Sequence, residues 1–208
     1  MQNKLSSTKY LTMLGLLAAV EIVLAFTPLG FIPLGVTKAT TIHIPVILGA
    51  ILLGPLAGGI LGGLFGILSV IINTFQPTIT SFVFTPFYNL SPDFHGNGWS
   101  LVVAIVPRIC IGIIAAYIFR FLHRMFTSEI VSFAGAGLVG SMTNTILVMG
   151  GIYLFFGRQY AAAKGMDFSA LFQAIMTVVG VNGVLEAIVA AILTLAIGKV
   201  LFQIVKRS

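Results

Sequence analysis

The sequence predicts an all-α membrane protein: a six-transmembrane-helix bundle with both chain ends on the cytoplasmic side. Three observations carry that reading. Of 208 residues, 58% are hydrophobic and only 8% charged, with a mean hydropathy of +1.11, whereas about a quarter of a soluble domain is charged. The run AILLGPLAGGILGGLFG at 50–66 repeats small residues every fourth position, at Ala50, Gly54, Gly58, Gly62 and Gly66. Fours keep one helix face nearly bare, so a second helix approaches backbone to backbone. In water each such glycine costs up to about 1 kcal/mol against alanine; in lipid the backbone must bond to itself and stays helical. Third, the basic residues flank apolar runs instead of forming a patch, so the net charge of +6 is no nucleic-acid footprint.

Taken in order, the first helix covers 8–28. Its basic start mimics a signal peptide, but no small-residue cleavage site follows 11–26, so it reads as a retained helix. LGFIPLGVTKAT, 29–40, is a structured loop by its prolines and glycines. A short second helix, 41–53, meets Gly54-Pro55 and turns straight into a third, 56–73. The stretch 75–98 is long for a connection, and such loops are functional or disordered. Seven aromatics from Phe75 through Trp99, and the alternating TITSFVF at 78–84, favour order. The fourth helix is 99–121; a basic turn at 120–129 leads to the fifth, 130–156, and the sixth runs over 168–202. Six helices leave no room for a soluble domain, so 1–208 reads as a single membrane domain. Seven Lys and Arg on one side against three on the other place both ends inside, with Arg108 left within the membrane. The lone Cys110 forms no intrachain disulfide.

Buried polar side chains are costly in lipid and therefore candidates for function. At 1.5 Å per residue Arg108 lies roughly 13 Å below the outer surface. Asn73 falls at the outer end of helix three, Asn144 in the outer half of helix five and Asn182 near the middle of helix six. Lys38 and His43 belong to the outer mouth of helix two. Beneath the aromatic loop, Lys38 or Arg108 offers a cation, Asn73, Thr80, Asn144 and Asn182 offer hydrogen bonds, and Phe82, Phe84 and Trp99 offer walls. Each has a plainer alternative. Arg108 pairs with Glu21 at matching depth, or meets a ligand anion. The asparagines are interhelical glue at about 0.6 kcal/mol each, although Asn73 and Asn144 are favoured as ligands by a shared depth. Lys38 is a solvated loop lysine, His43 a structural histidine, and Trp99 and Tyr88 are interface aromatics. Glu186, in the inner half, reads as a structural group away from this cluster. No metal-ligand cluster is present, and no GxxxxGK[ST], HExxH or GxSxG motif. An enzyme and self-powered ATP hydrolysis are therefore not expected. No inverted repeat of interrupted helices stands out. What is left is an outward, lidded, partly cationic pocket suited to capturing a small solute.

KATTIHIPVILGAILLGPLAGGILGGLFG (38–66), SVIINTFQPTITSFVFTPF (69–87) and VNGVLEAIVAAIL (181–193) resemble the substrate-binding S components of energy-coupling factor (ECF) vitamin transporters. Among the types, the pantothenate-specific one is the most similar. The resemblance implies a prokaryotic plasma-membrane protein that binds a vitamin from outside, at a site closed by its first and third external loops. It implies docking on one transmembrane coupling protein and two ATPases, inward delivery by toppling of the whole subunit, and ATP used by the partners, with no cofactor in this chain. Docking in the family uses small residues four apart on the first helix; Gly15 and Ala19 match, glycine replacing the first alanine. Other ligands of the family, such as pyridoxine-type compounds, hydroxymethylpyrimidine or folate, stay open. So do a stand-alone proton-coupled transporter using Glu21 or Glu186, and a scaffold.

Overall fold

The computed structural model describes residues 6–34 and 37–207. The side chains of 31–39 and 205–207 lie outside that description, Lys38 among them. Ser6 opens the first helix, α1 (Ser7–Phe26), its hydroxyl accepting from the Lys9 amide at 3.4 Å. Only Leu17, Glu21 and Ala25 of α1 are buried. Their spacing of four gives α1 one narrow inward stripe and leaves the rest of it facing outward.

The loop expected at 29–40 folds as an antiparallel hairpin of β1 (Phe31–Leu34) and β2 (Thr37–Thr40), with Phe31 opposite Thr40. It leads into α2 (His43–Leu53), buried from His43 through Leu52. Gly54 is both the last cap of α2 and the first cap of α3 (Pro55–Phe75), at φ 102°. That left-handed backbone is open to glycine, and Pro55 then occupies the first helical turn, where no amide is needed. The long aromatic loop holds a 3-10 turn, Ser81–Val83, and a second small hairpin, β3 (Asn89–Ser91) with β4 (Phe94–His95). Asn97 caps α4 (Gly98–Phe126) in a reciprocal box with Ser100. Ser128 caps α5 (Glu129–Ala163), and α6 (Phe168–Val178) passes through a π turn, Val179–Gly183, into α7 (Val184–Arg207).

Five of these helical stretches are long and apolar enough to cross a membrane, counting Phe168–Ile204 as one, and α2 is a shorter apolar sixth. The protein is thus an all-α, multi-pass membrane protein. Helices α4 and α5 run past their expected ends at 121 and 156 to Phe126 and Ala163. Hydropathy marks where lipid stops; helices continue as long as propensity and a basic last turn, here His123 and Arg124 on α4, favour them.

Glycines set the helix registers. The Gly49 face meets Leu61, Gly58 meets Ala50 and Gly112, Gly66 meets Ile105, and Gly151 meets Val103. Consecutive helices α2 to α5 therefore run antiparallel. On α5, Gly137 meets Ala190 and Thr145 meets Gly183, so α7 is antiparallel to α5. The ladder of Gly58, Gly62 and Gly66 thus packs inside the chain against α4, with Gly62 against the Arg108 carbonyl. The second helix expected on that bare face is therefore α4.

Two apolar clusters result. One gathers Leu17, Ile47, Leu61, Ile111, Phe133 and neighbours and reaches Ile42 and Ile44 beside the first hairpin; the other gathers Phe82, Val103, Val148, Phe156 and Leu171 beneath the second. On α4, α5 and the α6–α7 run, polar residues fall between members of the two clusters. Arg108 lies between Val103 and Ile111 on α4, and Ser141, Asn144 and Thr145 lie between Ala136 and Val148 on α5. Asn182 and Glu186 lie between Ile175 and Leu193.

Candidate functional site

Arg108 is the centre of the hairpin-side half of this polar set. The residue before it, Pro107, sits inside α4 and has no amide to give the carbonyl four residues back. That carbonyl belongs to Val103, and Arg108 Nη1 donates to it at 2.7 Å. The proline thereby creates the acceptor that aims the guanidinium toward the hairpin end. Its Cζ lies 5.5 Å from the Phe65 ring centroid and 5.4 Å from that of Phe84, a cation held between two aromatic faces. Arg108 is 7% exposed and its Nε is without a partner. It does not pair with Glu21: both Glu21 carboxylate oxygens are buried without a hydrogen-bond partner. Equal depth along two helices is no guarantee of a shared face, and Glu21 lies on the α1 stripe of Leu17 and Ala25.

The roof over Arg108 is tied down by short polar links. Ser81 donates to Asn73 Oδ1 at 2.7 Å, Thr74 and Thr85 hydroxyls meet at 2.6 Å, and Ser100 donates to the Phe82 carbonyl at 2.7 Å. Asn73 accordingly holds the loop. Thr80 caps the same 3-10 turn with its backbone carbonyl, which accepts from the Val83 amide at 3.2 Å. Phe82 is fully buried against Phe94 and Phe156, a roof core residue, while Phe84 is the loop aromatic that reaches Arg108. Trp99 is 52% exposed and stacks on Phe155 with ring centroids 4.3 Å apart, beside a shallow depression formed with Asn97, Gly98 and Val102.

The shared depth of Asn73 and Asn144 is also corrected. Following the α3–α4 and α4–α5 registers, Asn144 lies about three helical turns closer to the Gly54 end. It belongs to a floor. Asn144 Oδ1 is buried and unpartnered, Ser141 Oγ likewise, and Asn182 stands one residue from the Gly183–Thr145 contact. Asn182 lies within the π turn that follows α6, and such turns recur at functional sites. Glu186, expected far from the loops, is joined to one: the Thr40 amide donates to Glu186 Oε1 at 3.0 Å, pinning β2 to α7. No sequence signal announced that link, because its partners are 146 residues apart. The structure thus offers a cation between aromatic faces at Arg108 and, toward the Gly54 end, buried polar atoms without partners at Ser141 and Asn144, groups of the kind that hold a small anion with hydroxyl or amide groups. Among the described residues no group of three or more His, Cys, Asp or Glu is placed to hold a metal.

Residues 9–198 match the family described as "ECF transporter, substrate-specific component". The chain belongs to that family. Over 160 residues this ECF substrate-specific component is also 36% identical to the "Pantothenic acid transporter PanT" of Lactococcus lactis subsp. cremoris (strain MG1363), a match that covers 77% of this chain and 76% of the relative. The family is one of transport, which indicates carriage of a solute rather than catalysis.

Proposed function

We propose that this chain captures pantothenate from outside the cell and hands it to an ATP-driven ECF module. The observation that carries the reading is the 36% identity, over three quarters of both chains, to a protein named for pantothenic acid. Arg108 supports it: a buried guanidinium between Phe65 and Phe84 suits a carboxylate on an otherwise polar, uncharged solute. In this reading 1–208 is one domain of the prokaryotic plasma membrane, its six helices arranged with both ends inside and the hairpin end outside. Arg108, Asn144 and Asn182 bind the ligand with Phe84. Asn73, Thr80 and Phe82 hold the roof in place, and Trp99 sits at its margin. The chain needs no cofactor or metal and is no enzyme; ATP is consumed by two partner ATPases. It docks on the coupling protein through Gly15 and Ala19, both exposed, Gly15 with nothing within 4 Å of where a side chain would begin.

Calorimetry on the detergent-purified chain tests the assignment. Arg108→Ala is expected to weaken pantothenate binding by about 10- to 100-fold, the range of a charge-assisted hydrogen bond, while the protein stays folded. Unchanged affinity would remove Arg108 from the site, and no pantothenate binding by the unaltered chain would reject the ligand.

A further inference from the structure

His43 is absent from the ligand set above, yet its placement demands an account. It is 1% exposed, opens α2, and neither ring nitrogen has a hydrogen-bond partner. Buried polar atoms are seldom left that way, and an imidazole with two unpaired nitrogens costs the desolvation of both.

Its neighbours follow from three contacts. Ile47 Cδ1 lies 3.1 Å from where a Gly140 side chain would begin. Helices α2 and α5 are antiparallel, so one turn toward the hairpin end brings His43 level with Asn144. Thr40, three residues before His43, donates to Glu186 on α7. Gly183, three residues before Glu186, abuts Thr145, the residue after Asn144. Three separate contacts therefore bracket one layer containing His43, Ser141, Asn144 and Glu186. In that layer the imidazole nitrogens, Ser141 Oγ and Asn144 Oδ1 are all buried and all unpartnered.

We propose that His43 and Asn144 together form one polar wall of the ligand site and read one hydroxyl or amide group of the ligand. The chemistry requires a group that donates and accepts at once. Asn144 Oδ1 accepts only, so it takes a hydrogen bond from the ligand group. The imidazole has one donor and one acceptor in its neutral form, and returns a hydrogen bond to the same group's oxygen. A carboxylate, which only accepts, would leave Asn144 Oδ1 unmatched, so the charged end of the ligand points to Arg108 and its hydroxyl or amide end to His43. Glu186, held by the Thr40 amide, keeps the β1–β2 hairpin over this end. The inference deepens the capture reading and rests on it.

The test uses the purified full chain and four probes: pantothenate, pyridoxine, hydroxymethylpyrimidine and folate. Binding by the unaltered chain identifies the ligand and so tests the preceding proposal. Against whichever probe binds, His43→Ala and Asn144→Ala are each expected to lose roughly tenfold or more in affinity, the scale of one buried hydrogen bond left unmade. Melting temperature and helical circular dichroism should be retained. An analogue of that probe lacking the recognised hydroxyl or amide should bind the unaltered chain as weakly as the intact probe binds His43→Ala. Unchanged affinity in both variants, or losses that add fully for every analogue, would overturn the inference while leaving the ligand assignment standing. Should His43→Ala fail to fold, His43→Gln and the analogues on the unaltered chain decide the same question. Binding of none of the four probes would overturn both.

Discussion

At the scale of single residues, the informative neighbour of Arg108 is Pro107. Proline in a helix interior removes a donor, and here the orphaned Val103 carbonyl becomes the anchor of the guanidinium. Pro107→Ala should therefore separate stability from binding. The new amide reclaims Val103, the helix gains stability, and the guanidinium loses its tether. The expected result is a higher melting temperature with several-fold weaker ligand binding; calorimetry beside thermal unfolding reads both. Arg108 was legible in the sequence as the cation left within a membrane span, and Asn144 and Asn182 as polar residues in apolar runs. The aim of each side chain was not. Asn73 has the same chemistry as Asn144, yet it is spent on Ser81, and Trp99 turns to Phe155. Composition and depth name such residues, but only the turn of the helix says which face they occupy.

At the scale of elements, the small-residue ladder sets the distance between α3 and α4. A side chain added at Gly58 would begin 2.6 Å from Ala50 Cβ and 2.8 Å from the Gly112 carbonyl oxygen, and one at Gly66 would begin 2.7 Å from Ile105 Cα. Backbone cannot move aside as a side-chain tip does. Gly62→Leu, aimed at the Arg108 backbone itself, is expected to destabilise by at least about 1–3 kcal/mol and to lower the melting temperature of the detergent-purified protein. A variant that melts like the unaltered chain would show that α3 and α4 are not in this contact. The ladder was read from spacing four, and that it packs a helix was legible; which helix was not. The hairpins escaped notice because strands of two to four residues are too short for alternation to stand out, and Pro33 argues against a regular ladder in the first.

For the whole molecule, two apolar clusters with polar residues between their members on α4, α5 and the α6–α7 run let roof and floor differ in firmness. The side chains of α1 outside its stripe of Leu17, Glu21 and Ala25 are largely exposed, among them Leu11, Leu16 and Val23. Changes on that face should leave the solute site alone. Gly15→Leu and Ala19→Leu, singly or together, are expected to bind ligand with unchanged affinity yet fail to co-purify with the coupling protein and its ATPases. Normal assembly and transport by the double variant would move the docking face elsewhere. The fold class was plain from hydropathy and glycine spacing, because lipid leaves the backbone few options. The partition into two clusters was not, since it depends on registers between helices far apart in the chain.

The π turn at Val179–Gly183 carries a consequence for how α7 is set against α5. One residue in a helix corresponds to a rotation of about 100°. An extra residue absorbed in that turn swings everything from Val184 onward relative to α6, Glu186 included. A single codon gained or lost there would turn the face that α7 presents to α5 without altering any side chain on it. Close contacts of Gly137 with Ala190 and of Gly183 with Thr145 tie α7 to α5 on either side of Val184, so packing holds the length of the turn fixed.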